Sequence, residues 1–373
     1  MNKCKSNIVT LSGTLCLTFL LSLFLTSDIS LFAFMSAMNV GNDFKISDFY
    51  SRVANTFQQN VNEDIVIIDI ADCSREQIAE TIENVEACRP AAIGVDIIFR
   101  EKSDSLTDNR LRNAVNGSGN IVLATSADNT SGEYIRSSYF SDSIASKGNY
   151  GVTNLETTSG LPTGVVRGFR HSYPIKNDTF PSFAALLVEK AFPERYTKHG
   201  EKETIYFPGQ LYFHHTTEEL AQYGKELGLE GKIILLGDYS GSDDLHRTPI
   251  SEQLSGIEIH AAAISTIMDG KPVKEIPAIW SWLIAIVVCT AILLLKLALQ
   301  PKKYGAFAVR ICQILLIALS VLAGCYIFKE FRIVIDINKI VLMLLLGLLS
   351  MDIWTGIYGF YSDISNRKRN NKN

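Results

Sequence analysis

The chain has 373 residues, of which 47% are hydrophobic and 20% charged, and its formal net charge is −4. That total hides a split, because residues 39–278 hold 22 Lys and Arg against 34 Asp and Glu, a net of −12, while the remainder holds 13 against 5, or +8. An acidic central part argues against nucleic acid or anionic lipid head groups as its main partner. The acidity fits an ordinary soluble surface and equally a surface that attracts cations.

Four apolar stretches, each near the ~20 residues that a transmembrane helix needs, lie towards the two ends of the chain. They cover residues 8–25, 279–297, 306–328 and 340–361. The sequence therefore predicts a stub with the first helix, a large domain, three further helices and a basic tail, at 1–38, 39–278, 279–361 and 362–373.

Charged flanks predict the orientation, because short basic segments mark the cytoplasmic side of a membrane. The turn between the third and fourth predicted spans, residues 329–339, has mixed charge. Three basic groups flank the other ends of the spans, and they contain Lys3, Lys5, Lys296, Lys302, Lys303, Arg310, Arg367, Lys368, Arg369 and Lys372. With four spans they all fall on one side, which predicts cytoplasmic termini and a large extracytoplasmic domain on a bacterial inner membrane. The first stretch is also compatible with a cleaved signal peptide. Its apolar character resumes after Asp28 without a clear cleavage site, which favours an uncleaved anchor.

The large domain has the pattern of an α/β fold. Residues 65–70 form a short β-branched run typical of a strand buried on both faces. Residues 74–87 predict a helix with Ser74 and Gln77 as a capping box, and 91–99 predict a second parallel strand. We further predict strands at 121–125, 204–207 and 232–237, an antiparallel pair at 150–155 and 164–174, and helices at 47–58, 107–115 (with Thr107 as its cap), 181–191, 217–227 and 257–268.

Two cysteines lie in this domain, Cys73 and Cys88. A helix between them would hold their ends ~20 Å apart, well beyond the ~7 Å Cα separation that a disulfide tolerates. We therefore predict two free thiols.

Six segments in order resemble a known family. They are IVIIDI followed by Asp72 and Ser74, IGVDIIF containing Asp96, GVVR ending at Arg167, KIILLG, DDLHRTP at 243–249, and GIEIHA at 256–261. Together they are similar to the second type of CHASE domain, the cyclase and histidine-kinase-associated sensory extracellular domains, over about residues 45–275.

The resemblance implies a sensory role and a plan of one span, a sensory domain and three spans. Receptors of this kind usually carry a cytoplasmic cyclase or kinase after the last span. Here about 12 polar residues follow Tyr361, so the expectation is a stand-alone form that signals to a separate membrane or cytoplasmic partner. We expect the lipid bilayer and a small-molecule ligand as further partners and no cofactor, and a homodimer is left open.

Polar residues cluster where the predicted strands end, the edge at which open α/β sheets bind ligands. The candidate ligand-binding residues are Asp69, Asp72, Asp96, Arg167, Asp243, Asp244, His246 and Thr248. The carboxylates could hold a hard cation or a polar ligand, and the identity of any metal is open. The alternative is that they cap helices and turns locally. Arg167 could equally pair with the acidic loop as a salt bridge.

The sequence contains no motif for a phosphate loop, a nucleophile elbow or a dinucleotide site, so we expect no enzyme activity and no catalytic residue. His214 and His215 are adjacent rather than four apart, which disfavours a metal pair. His260 is expected to be a packing residue rather than a base. A scaffold that binds another envelope protein is the second hypothesis, and a periplasmic hydrolase the third.

Asp352 lies inside the fourth apolar stretch, where an ionisable residue is costly and faces a partner. Arg310 and Lys296 are the cations at similar depth. We predict a contact between Arg310 and Asp352. The alternative is that Arg310 extends to the head groups and Asp352 stays neutral.

Overall fold

The computed structural model divides the chain into two compact units, which are described separately. The helical unit comprises Met1–Ile46 and Lys274–Asn373, and the α/β unit comprises Ser47–Val273. The residues described are 3–26, 45–57, 60–99, 101–129, 134–137, 149–157, 164–175, 177–242 and 244–370.

The α-helices and strands are numbered along the chain. The helices are α1 (Lys3–Thr26), α2 (Ile46–Phe57), α3 (Arg75–Glu86), α4 (Ser105–Gly117), α5 (Phe183–Ala191), α6 (Thr217–Tyr223), α7 (Gly256–Asp269), α8 (Ala278–Leu299), α9 (Gly305–Phe331) and α10 (Ile337–Asn370). The strands are β1 (Asn60–Asp69), β2 (Ala92–Val95), β3 (Ile121–Asn129), β4 (Tyr134–Ser137), β5 (Tyr150–Val152), β6 (Glu156–Thr157), β7 (Val166–Arg170), β8 (Ser172–Ile175), β9 (Asp178–Pro181), β10 (Lys202–Thr204), β11 (Gln210–Thr216), β12 (Ile233–Gly237), β13 (Leu245–His246), β14 (Leu254–Ser255), β15 (Lys274–Glu275) and β16 (Ile333–Val334).

The α/β unit is built on a seven-stranded sheet in the order β11-β1-β12-β2-β3-β4, with β5 also paired to β3. Every pairing in it is parallel except that of β3 with β4. A smaller antiparallel sheet has the order β10-β7-β6, and β8 and β9 form a hairpin. The predicted class, a mostly parallel α/β sheet with antiparallel strands beside it, is confirmed.

Helices cover both faces of the main sheet, as the apolar run in β1 predicts. Ile65 and Ile67 belong to the core formed with α5 and α7, whereas Val66 and Ile68 belong to the core formed with α3 and α4. All four side chains are at most 1% exposed. Alternate residues of a strand point to opposite faces, so a strand between two helix layers must be apolar throughout.

One of the two predicted helix caps is confirmed and the other is wrong. Ser74 and Gln77 form the predicted capping box of α3. The cap of α4 is Asp104 rather than Thr107, because the Asp104 carboxylate accepts hydrogen bonds from the backbone N–H of Leu106 and Thr107, both at 3.0 Å.

The predicted antiparallel pairing of 150–155 with 164–174 is wrong, because the two segments have other partners. β5 joins the main sheet, parallel to β3, and the antiparallel partner of β7 is β6. Glycine explains why β5 fits there, since a Cβ at Gly151 would lie 2.4 Å from the Cα of Phe183 on α5. Glu156 on β6 instead carries the charge that pairs with Arg170 on β7, at 2.6 Å.

Strand β11 is not among the predicted elements, and the strand predicted at 204–207 ends at Thr204 instead. β11 lies at the edge of the sheet, parallel to β1, with Ile67 opposite His214. Its apolar residues Leu211 and Phe213 are each 46% exposed. An edge strand lacks the continuous apolar run by which buried strands are recognised.

Cys73 and Cys88 are free thiols, with α3 between them, as predicted. Mass spectrometry of the non-reduced full chain should therefore recover peptides containing Cys73 and Cys88 as separate, alkylated species. A peptide linked through these two sulfurs would contradict both the helix and the parallel unit built around it.

Among its described residues, the helical unit has four helices that are long and apolar enough to cross a membrane, by length and composition. They cover Asn7–Thr26, Ala278–Leu299, Gly305–Phe331 and Ile337–Tyr361. α1 packs along α10, and Gly13 permits a close approach because a Cβ there would lie 2.1 Å from the ring of Trp354.

The predicted contact between Arg310 and Asp352 is wrong. Lys296 on α8 pairs with Asp352 and also donates to the carbonyl of Leu348 at 3.3 Å. Arg310 donates to Gln313 Oε1 at 3.1 Å, one turn along its own helix. α8 packs along α10, which brings Lys296 to the carboxylate, while Arg310 has a neutral acceptor within reach on α9.

Candidate functional site

A cleft of about 980 Å³ opens beside the carboxyl ends of β2 and β12 and the start of α7. It is lined by Asp96, Ile97, Ile98, Thr153, Leu155, Thr157, Val166, Asp238, Asp244, His246, Gly256 and His260. This is the sheet edge at which the sequence predicts a site. Three of the predicted residues line the cleft, namely Asp96, Asp244 and His246.

Asp96 and His260 face each other in the cleft without a direct hydrogen bond. Asp96 follows β2, and His260 lies on the first turns of α7. Their side chains are 12% and 7% exposed, and His260 Nε2 is 3.9 Å from Asp96 Oδ2. Burial raises the pKa of Asp96, and the Asp244 carboxylate adds to this, whereas His260 and His246 oppose it. Both side chains are thus largely buried, and neither makes a hydrogen bond to another described side chain while both line the cleft.

Asp244 and His246 form a second acid–imidazole pair, nearer to solvent. His246 Nε2 lies 2.8 Å from Asp244 Oδ1, and the two side chains are 28% and 51% exposed, respectively. The hydrogen bond from His246 holds the pKa of Asp244 below its ordinary value, against the effect of burial. A Cβ at Gly256 would lie 2.0 Å from Asp244 Oδ2, so a larger residue at the start of α7 would displace this carboxylate.

The other predicted acidic residues have separate positions. Asp69 accepts backbone hydrogen bonds from Ala71 at 3.1 Å and Tyr239 at 3.2 Å, which is a local structural role. Asp72 lies exposed in the turn after β1, and Asp243 lies outside the described residues. Thr248 is buried and closes a tight turn, exchanging hydrogen bonds with Ser251 at 3.1 Å in each direction.

Arg167 does not face the acidic loop. It forms a two-pronged pair with Asp48 at the start of α2, with Nε to Oδ1 at 2.8 Å and Nη2 to Oδ2 at 2.6 Å. The two side chains are 9% and 5% exposed. The predicted salt bridge therefore exists with a different partner, which sequence reasoning could not identify because the two residues are 119 positions apart.

Helix α2 is also tied to the segment that follows the cleft strand β13. Arg52 donates from Nε to the carbonyl of Pro249 at 3.0 Å, and its Nη2 lies 3.1 Å from Glu252. The backbone N–H of Val166 donates to the carbonyl of Arg247 at 2.8 Å. The segment 247–252 thus contacts both β7 and α2.

Sequence reasoning missed two features of this site. His260 is buried and its ring lies 5.3 Å from that of Phe183 between centroids, as expected of a packing residue, but the ring also lines the cleft and makes no hydrogen bond to a described residue. Thr153 and Thr157 also line the cleft. The spacing of the histidines in the sequence did not indicate that His260 lines the cleft. The position of Asp96 after an apolar strand did indicate that Asp96 lies at the site.

The Asp96 carboxylate has no hydrogen-bond donor among the described side chains, and this leads to a prediction about stability. Asp96→Asn keeps the shape and removes a buried charge, so we expect a higher thermal unfolding midpoint at neutral pH. Asp69→Ala removes two backbone hydrogen bonds and should lower the free energy of unfolding by about 1–3 kcal/mol. Thermal and urea unfolding of the full chain in detergent would measure both. A loss of stability in Asp96→Asn would show instead that Asp96 caps local backbone.

The raised pKa of Asp96 determines how the stability difference between Asp96→Asn and the wild type changes with pH. With its pKa raised above the ordinary value of 3.8, Asp96 holds a proton more tightly in the folded state, so its contribution to stability falls as pH rises through the raised pKa. The midpoint advantage of Asp96→Asn over the wild type should therefore shrink as pH falls from neutral towards 4. A constant difference across that range would contradict the assignment.

A comparison with protein families matches the CHASE2 domain over residues 18–297. No curated protein and no solved structure matches the chain. The match begins within α1 and ends within α8, so it spans the whole α/β unit. The chain therefore belongs to the CHASE2 domain family, a family of sensory extracellular domains.

Proposed function

We propose that this chain is a membrane-anchored extracytoplasmic sensor that binds a small ligand in its cleft and signals through its apolar helices to a separate protein. The family match supports sensing, and four apolar helices fit a membrane anchor. The basic residues that flank those helices favour a bacterial inner membrane with both termini in the cytoplasm.

The cleft is the observation that carries this proposal. A buried acid and a buried imidazole face it without hydrogen bonds among the described residues, and buried polar groups in folded proteins nearly always have partners. A ligand that supplies those partners would bind there. His260 lies on α7, and only eight residues separate the end of α7 from the start of α8.

Contacts of the segment 247–252 also connect the cleft to helix α2. The segment 247–252 follows the cleft residues Asp244 and His246 and contacts α2 through Arg52. In sequence α2 is the first described helix after α1. A ligand that binds two arrangements of this segment with different affinity would shift α2 between them.

We further propose that the chain is not an enzyme. Within the described part, no hydroxyl or thiol is hydrogen-bonded to His246 or His260, and a nucleophile needs such a base. The Asp244–His246 pair alone gives a hydrolase little support. A scaffold that binds an envelope protein is the stronger alternative, and the exposed apolar residues on edge strand β11 favour it.

Ligand screening separates sensor from scaffold. The thermal unfolding midpoint of the full chain in detergent should rise saturably with at least one compound from a panel of cationic, neutral and anionic polar metabolites. His260→Phe should remove that rise, because it fills the same space without ring nitrogens. A scaffold would show no compound-dependent shift across the panel while still co-purifying with a partner from native membranes.

A further inference from the structure

We propose that the cleft binds a small organic cation that carries a primary ammonium group, held between Asp96 and His260. This inference rests on the proposed sensory function of the same cleft and names the chemical class of its ligand.

The charge of the lining favours a cation. Three carboxylates face the cleft, Asp96, Asp238 and Asp244, and the described lining contains no Lys or Arg. Two of the three already have partners, since Asp238 accepts from the backbone N–H of Gly241 at 2.7 Å and Asp244 pairs with His246. Asp96 is the carboxylate left without a hydrogen-bond donor among the described residues.

His260 points independently to a ligand. Its side chain is only 7% exposed. The ring nevertheless lines the cleft, and it makes no hydrogen bond within the described part of the chain. The separation of 3.9 Å between Nε2 and Asp96 Oδ2 is too long for a direct hydrogen bond. A donor placed in the cleft could approach both atoms at once.

An ammonium group meets this geometry better than the alternatives. It has three N–H donors, so it can donate to the Asp96 carboxylate and to a neutral His260 ring together, and its charge balances the buried carboxylate. A bound cation would also oppose the effect of burial on the pKa of Asp96. The polar residues Thr153 and Thr157 also line the cleft, near the rest of the molecule.

A metal ion fits less well. In the parts of the chain that the structure describes, no group of three or more His, Cys, Asp or Glu side chains is placed to hold one. Hard divalent cations take about six or more oxygen ligands in compact geometry. The cleft, at about 980 Å³, has the size of sites for small organic ligands.

Three four-carbon probes of matched shape test the proposal on the full chain in detergent: butane-1,4-diamine, butane-1,4-diol and butanedioate. Ionic strength is kept equal with sodium chloride, and thermal unfolding is followed as each probe is titrated. We expect a saturable rise in the midpoint with the diamine alone. A rise with the diol or the dioate, equal to or larger than that with the diamine, would overturn the cationic class.

Variants locate the binding. Asp96→Asn and His260→Phe should each weaken the apparent diamine affinity at least tenfold, whereas Glu80→Gln, an exposed position on α3, should leave it unchanged. Should His260→Phe fail to fold, the isosteric Asp96→Asn decides alone, and an unchanged affinity in it overturns the proposal. A shift with none of the three probes also overturns the cationic class. The wider metabolite panel then shows separately whether the cleft senses any ligand.

Discussion

Replacing Arg167 with methionine should lower the free energy of unfolding by about 3–5 kcal/mol, because it removes the guanidinium that is paired with the buried Asp48 carboxylate. The two side chains are 9% and 5% exposed and joined by two short hydrogen bonds. Urea unfolding of the full chain in detergent, followed by brief proteolysis of the unfolded fraction, would measure the loss.

Two further variants make this test specific. Glu252→Gln removes the surface charge that pairs with Arg52 on α2 and with Arg247, where the Arg52 and Glu252 side chains are 54% and 62% exposed, respectively. It should cost much less stability than Arg167→Met, because exposed ion pairs contribute little. Arg167→Met combined with Asp48→Leu should recover most of the lost stability, since an apolar pair can replace a buried ion pair. Equal losses in Arg167→Met and Glu252→Gln would show that the Arg167 pair is not a buried anchor of α2.

Phe183→Ala should be the second strongly destabilising change, by about 3–5 kcal/mol. Phe183 is fully buried at the start of α5, over two strands that carry glycine beneath it. A Cβ at Gly94 would lie 2.8 Å from Phe183 Cζ, and a Cβ at Gly151 would lie 2.4 Å from Phe183 Cα. The neighbouring strands are therefore shaped around this residue and cannot easily collapse into the cavity.

The matched control is Phe57→Ala, since Phe57 is 73% exposed on α2 and its loss should change stability by less than about 0.5 kcal/mol. The same urea assay applies to both variants. Phe183 also contacts the ring of His260, so Phe183→Ala should weaken ligand binding in the cleft as well. Similar stability for the two alanine variants would contradict this account of the core.

The sequence correctly predicted those elements that form through interactions between residues close together in the chain. The apolar run of β1 indicated burial on both faces, Ser74 and Gln77 indicated a helix start, and the long apolar stretches indicated four long helices, because each of these depends on residues close in sequence. Asp96 was identified for the same reason, since it directly follows the buried strand β2.

The features that escaped prediction depend on contacts between distant segments. The partner of Arg167 is 119 residues away, and the parallel placement of β5 beside β3 depends on Gly151 meeting Phe183. His260 lies within an apolar helix, a pattern typical of packing, and only the fold brings it opposite Asp96. Lys296 and Arg310 have similar predicted depths in the membrane, so the sequence did not distinguish them as partners of Asp352. The packing of α8 along α10 brings Lys296 to Asp352.

The central claim is that the α/β unit is extracytoplasmic. Cysteine labelling tests it most directly, because it measures on which side of the membrane this unit lies. In a full chain with its native cysteines replaced by alanine, single cysteines are introduced at Leu106, which is 83% exposed, and at Asn373 in the basic tail. A membrane-impermeant maleimide is applied to intact spheroplasts and then to permeabilised ones. The account predicts that Leu106→Cys is labelled in intact spheroplasts and Asn373→Cys only after permeabilisation. Labelling of Leu106→Cys only after permeabilisation would place the α/β unit in the cytoplasm and contradict an extracytoplasmic sensor.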